Sequence, residues 1–122
     1  MTMRGIRAAT TIESDQPEEV LSATRELLEA IRLANPELRP DDIASAIFTV
    51  TGDIVSAYPA RAARQLGWDM VPMMCAREIP VPGGLPLCIR VLIHWNTGLD
   101  QAAICHVYLH ASAALRPDLA TP

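Results

Sequence analysis

Residues 71–90 read VPMMCAREIPVPGGLPLCIR, and no other stretch restricts the folding of this chain so strongly. Within it stand Pro72, Pro80, Pro82 and Pro86 and the pair Gly83-Gly84. Each proline fixes φ and removes a backbone donor, while glycine admits positive φ, so the prolines and glycines from Pro80 to Pro86 make a stiff, shaped loop. Around that loop stand a thiol, Cys75, a carboxylate, Glu78, and an arginine, Arg90, near the start of an apolar run. A stiff loop that feeds a strand holds side chains in fixed places, as a site on a rigid scaffold requires.

The length of 122 residues suits one domain, and a chain this small buries more surface by associating. Half of the residues are hydrophobic but few are aromatic, so Ile, Leu, Val, Ala and Met must fill the core. A net charge of −4 argues against general nucleic-acid binding. All ten basic residues are arginine, which excludes Schiff-base lysine chemistry and a P-loop lysine. Arginine also matches planar carboxylates with paired hydrogen bonds. Cys75, Cys88 and Cys105 form no C-x-x-C pair, and with no signal peptide visible they read as reduced thiols of a cytoplasmic protein. No apolar run reaches the roughly 18 residues of a membrane span.

Taken in order, residues 3–11 read as a strand in which Arg4 and Arg7 fall on opposite faces. Ser14 or Asp15 suits a helix cap, Pro17 a first turn, and Val20, Thr24, Leu27, Leu28 and Ile31 one buried face, with Asn35-Pro36 as the stop. Residues 46–50 read as a second strand. Tyr58-Pro59 opens a helix over 60–66 that ends at Gly67, with Arg61 and Arg64 on one side. Residues 70–74 read as a third strand, at an edge or bulge because of Pro72. In 88–95, Ile89, Val91, Ile93 and Trp95 face one way and Arg90, Leu92 and His94 the other. The last strand spans 105–110, with His106, Tyr108 and His110 on one face, followed by a short helix over 111–115. The order gives one α/β domain.

The candidate chemistry is narrow. Side chains four apart on a strand do not clamp one ion easily, so His106, His110 and His94 do not read as a metal site. Cys75 has no oxyanion motif or nucleophile elbow beside it. What remains is a set of arginines, one glutamate and one tyrosine, suited to a dicarboxylate substrate and to electrostatic rather than covalent catalysis. Taken alone, Arg7 reads rather as an exposed strand-end charge, and Arg61 and Arg64 as a solvated helix face.

Several motifs, in order, resemble the monofunctional, bacillus-type chorismate mutases. They are Arg4-Gly5-Ile6-Arg7 with Ala9-Thr10-Thr11, Tyr58-Pro59-Ala60, Val71-Pro72 with Cys75 and Glu78, Gly83-Gly84-Leu85, Cys88-Ile89-Arg90-Val91, His106-Val107-Tyr108-Leu109, and Leu115-Arg116-Pro117-Asp118-Leu119. The resemblance covers nearly the whole chain. It implies a mixed β-sheet with helices on one face, assembled as a trimeric pseudo-α/β barrel with sites between subunits. It implies an isomerase that rearranges chorismate to prephenate in aromatic amino acid biosynthesis, with no cofactor and no metal.

The resemblance also assigns roles. Arg90 lies beside the ether oxygen and a carboxylate. Arg7 and Tyr108 bind the side-chain carboxylate, and Glu78, supported by Cys75, accepts from the ring hydroxyl. Tyr58, Ala60, Arg61, Arg64, Met73 and Met74 line the substrate site, with Tyr58, Ala60, Arg61 and Arg64 coming from the next subunit. Leu115 and Arg116 close the mouth, and 115–122 is expected to be a mobile tail. Met73-Met74, Tyr58 and Arg61 depart from the family's more usual Val-Thr, Phe and Lys. The alternatives are an enamine/imine deaminase-like trimer of similar fold and a non-catalytic carboxylate-binding module.

Overall fold

The computed structural model describes residues 1–115. Arg116 and the rest of the expected tail lie outside the described residues. Strand β1 (Thr2–Thr11) leads to helix α1 (Pro17–Ala34), then β2 (Ile43–Val50), helix α2 (Ala60–Gln65), β3 (Met73–Arg77), β4 (Cys88–Thr97) and β5 (Val107–Tyr108). Short 3₁₀ turns lie at Pro40–Asp42, Gln101–Ala103 and His110–Ala114. The sheet runs β3-β2-β4-β1-β5. Its centre, β4, is antiparallel to β1 and β2, while the outer pairs β1/β5 and β2/β3 are parallel. The parallel pair β2/β3 is joined through α2, as a crossover connection requires.

Period-two alternation divides the sheet into two faces. One carries Ile6, Ala8, Phe48, Val91, Ile93 and Trp95, which pack with Leu27, Leu28 and Ile31 of α1 and Ala60 and Ala63 of α2. Burying each large side chain contributes about 1.5–3 kcal/mol, so this face anchors the fold. Val20, Thr24, Leu27, Leu28 and Ile31 are buried together, as their helical spacing predicts. The hydroxyl of Thr24 donates to the carbonyl of Val20 at 2.7 Å, which removes the penalty of burying it. Gly67, at φ 93°, ends the α2 segment in a conformation that other residues avoid.

Four local expectations change. The N-cap of α1 is Gln16, with no side-chain cap. Asp15 instead accepts from the N–H groups of Val55 and Ser56 at 3.0 and 3.2 Å, pinning the loop ahead of α2. The third strand starts at Met73 rather than residue 70, because Pro72 has no N–H for the ladder; its carbonyl still accepts from Ala46 at 3.0 Å. The last strand shrinks to Val107–Tyr108. Its backbone loses a ladder bond because the N–H of Arg7 donates to Nδ1 of His106, 2.9 Å away. At its other end His110 turns to φ 55° and pairs with Glu26, so the three residues His106, Tyr108 and His110 do not share one face.

Candidate active site

Among the described residues, the other face of the sheet carries no α-helix. In register, Ala9 lies between Tyr108 on β5 and Arg90 on β4, and Arg90 is next to Thr49 on β2. One row away, Arg7, Leu92 and Ile47 align in the same manner. These residues share one parity, so their side chains rise on one side. With Glu78, all of them except Ala9 line a cavity of about 260 Å³, among them Arg7, Arg90 and Tyr108.

Glu78 reaches this cavity from the sheet edge. Its backbone N–H donates to the carbonyl of Val50 at 2.9 Å, extending the β2/β3 ladder by one residue. Its carboxylate accepts from the hydroxyl of Thr49, and Oε2 lies 3.7 Å from Nε of Arg90. Both partners are partly exposed, so the pair is worth only about 0–1 kcal/mol of stability. That is too little to account for it as a fold-stabilising bridge. Its effect is geometric: it holds the guanidinium beside the cavity.

Tyr108 is almost fully buried, and its hydroxyl has no hydrogen-bond partner among the described residues. An unpaired buried hydroxyl costs about 1–3 kcal/mol, and this one belongs to a residue lining the cavity. Below it, Ala9, Cys88 and Tyr108 form a small apolar cluster against which Leu85, Ala113 and Leu115 pack. Burial pushes the Cys88 thiol above its usual range, with the neighbouring Arg90 acting in the opposite direction. Cys88 is therefore a neutral thiol rather than a thiolate.

The other expected site residues are placed differently. Cys75 does not line the cavity of Glu78 and Arg90. It pairs in register with Phe48 and so takes the helix-side parity, where it lines a second cavity of about 460 Å³ with Tyr58 and Arg61. Within one chain, then, Cys75 and Glu78 line different cavities. Ala60 is buried at the start of α2, and Arg64 is exposed on the same helix. Met73 packs against the helix-side core, whereas Met74 is 70% exposed. The expectations had missed Thr49. A lone threonine in the apolar run 46–50, two residues from Ile47, was the signal for a polar position on the open face.

Among the described residues, no group of three or more His, Cys, Asp or Glu is placed to hold a metal ion. Nor is any helix there long and apolar enough to cross a membrane.

The comparisons agree with this geometry. The family described as chorismate mutase type I matches residues 3–119. The chain is 53% identical over 117 residues to the chorismate mutase AroH of Thermus thermophilus, covering 96% of each protein. It is 45% identical over 120 residues to the chorismate mutase AroH of Bacillus subtilis (strain 168), covering 98% of this chain and 94% of that one. A solved chorismate mutase from Clostridium thermocellum superposes with a TM-score of 0.87 at 45% identity, covering 90% of this chain and 97% of that one. With the sheet, the open-face cavity and these matches in accord, the chain belongs to the type I chorismate mutases.

Proposed function

We propose that this chain rearranges chorismate to prephenate, with Arg90 as the main catalytic residue. The observation that carries this reading is the convergence of Arg7, Glu78, Arg90 and Tyr108 on one cavity of a helix-free sheet face. The reaction is intramolecular: a C–O bond breaks as a C–C bond forms, and no proton is transferred. Negative charge grows on the ether oxygen and positive charge on the ring. A site accelerates this by holding the reactive conformer and by presenting fixed charges where those charges develop. Arg90 faces the ether oxygen and a carboxylate, and Arg7 binds the side-chain carboxylate. The hydroxyl of Tyr108 donates to that carboxylate, which gives it the partner it lacks among the described residues. Glu78 accepts from the ring hydroxyl.

The assembly is a homotrimer with sites between subunits. At about 260 Å³, the cavity of one chain falls below the roughly 300–1,000 Å³ usual for small-molecule sites. Ile47 and Leu92 at its rim are 38% and 37% exposed, which suits coverage by a neighbour. Tyr58, Ala60, Arg61, Arg64 and Cys75 belong to the half that a neighbouring subunit supplies, as do Met73 and Met74. Leu115, which packs against the cluster of Ala9, Cys88 and Tyr108, closes the mouth, and Arg116, expected to act with it, lies outside the described residues. Three free cysteines suit a reducing compartment, and we place the enzyme in the cytoplasm.

The direct test follows loss of chorismate by absorbance. Mixing inactive Arg90→Ala and Arg64→Ala subunits should restore activity in mixed trimers, and an active monomer by light scattering would refute the shared site. Glu78→Gln should lower the rate because the charge is lost. A solvent deuterium isotope effect of general-base size in the wild type would show that Glu78 moves a proton instead.

A further inference from the structure

Arg90 and Glu78 are both fixed at one corner of the sheet, where β2 ends. The N–H of Glu78 donates to the carbonyl of Val50 at 2.9 Å, and the N–H of Thr51 donates to the carbonyl of Cys88 at 3.1 Å. The next turn carries Asp53, an exposed carboxylate outside the cavity that Arg90 lines. Both oxygens of Asp53 accept from one backbone group, the N–H of Leu87, at 3.2 and 3.0 Å. Oδ1 also accepts from the hydroxyl of Thr51, whose oxygen in turn accepts from the N–H of Cys88 at 3.0 Å.

Leu87 has φ 49°, in the left-handed region that leucine avoids. The side chain is nonetheless used: Leu87 packs against the cluster of Ile12, Val20, Ile54 and Ile89. Its carbonyl accepts from the N–H of Ile12 at 3.0 Å. Leu87 is therefore strained, held from several sides, and placed where the proline-rich loop becomes the strand that bears Arg90. Strained conformations persist where their surroundings over-determine them. Here Asp53 supplies the contact that meets the strained residue's own N–H.

We propose that Asp53 is a positioning residue for Arg90. By holding Leu87 in its left-handed conformation, it sets the direction in which β4 starts and so the place of the guanidinium three residues later. This rests on the reading of Arg90 given above. A merely structural Asp53 would affect melting and leave turnover alone; a positioning residue affects kcat through the backbone of Leu87.

The test compares kcat, KM and Tm for Asp53→Ala, Asp53→Asn and the double variant Asp53→Ala/Leu87→Gly. Small misplacements of a catalytic group cost up to about 10²-fold, so kcat of Asp53→Ala should fall by about 10-fold or more with KM changed far less. Glycine adopts positive φ without strain, so Leu87→Gly in that background should recover most of the lost kcat. It should at the same time lower Tm further, because the leucine side chain leaves its cluster. Recovery of turnover against falling Tm is an outcome that a general loss of stability does not produce. Asp53→Asn keeps one acceptor oxygen and should give a smaller fall, and it carries the test if the alanine variant does not fold. Wild-type kcat in the Asp53 variants, or no recovery in the double variant, overturns the proposal. A neutral isostere of arginine at position 90, assayed alongside, separates the two readings. Full activity there removes the Arg90 mechanism, whereas its loss beside fully active Asp53 variants removes only the role of Asp53.

Discussion

Phe48 and Ile47 are neighbours in sequence and sit on opposite faces of the same strand. Phe48 is fully buried between sheet and helices, while Ile47 is 38% exposed on the open face beside Arg90 and Glu78. On the helix side, packed apolar area fixes the fold, and the few polar groups there are incidental to it: Thr24 donates to the carbonyl of Val20, and the buried hydroxyl of Thr10 has no partner among the described residues. On the open side, a partly exposed ion pair and a tyrosine hydroxyl without a partner among the described residues contribute little or negatively to stability. The difference separates what makes this chain fold from what makes it act: one face spends its residues on area, the other on charge placement.

The largest expected effect breaks that comparison at Phe48. Phe48→Ala should lower the unfolding free energy by about 3–5 kcal/mol in urea titrations, from lost burial and the cavity left behind. Ile47→Ala next to it should cost about 1 kcal/mol or less in the isolated chain, and should show instead as weakened self-association by light scattering. Equal losses at the two positions would mean that the open face is core after all.

Arg90 gives the converse case. A neutral isostere of arginine there should fold and still bind a substrate-like dianion, while kcat falls by at least about 10². Its unfolding midpoint should barely move, since a half-exposed ion pair is worth about 0–1 kcal/mol. If KM rises with kcat unchanged, Arg90 only binds a carboxylate.

The smallest effect is at Asp15, far from both faces' centres. The side chain of Ser56, followed by the N–H of Val55, holds its carboxyl below the usual value of 3.8. A carboxyl whose folded pKa is depressed contributes stability above its unfolded pKa and loses it as pH falls through the folded one. Tm of the wild type should therefore decline in acid more steeply than that of Asp15→Asn from just below pH 3.8 downward. Parallel acid profiles would show that the loop ahead of α2 does not depend on that charge.

Much of both regions was legible in the residues. The helical spacing of Val20 to Ile31 and the alternation of Ile89 to Trp95 set the buried faces, because those periods are properties of helices and strands themselves. The same alternation put Arg90 opposite the core. Glu78 was marked by the stiff loop beside it, but the roles of Arg7 and Tyr108 came only through the resemblance to a family, since an arginine near a strand end is ordinarily a solvated charge. Cys75 shows what such inference leaves open. Its role was carried over as part of one set, but pairing with Phe48 put it on the helix-side parity.

By itself, then, the sequence determined the elements, the stiff loop after Glu78 and the two-sided character of the central strand, all of which follow from local φ preferences and periodicity. Only the tertiary structure decided which ends meet. The parallel pairing that brings Tyr108 beside Ala9, the ladder bond from Glu78 to Val50, the ring of His106 replacing a backbone acceptor for Arg7 and the clasp of Asp53 on Leu87 are contacts between residues far apart in the chain. Long-range partners of this kind leave no period in the sequence, because each is chosen by the packing of the whole sheet rather than by the residues beside it.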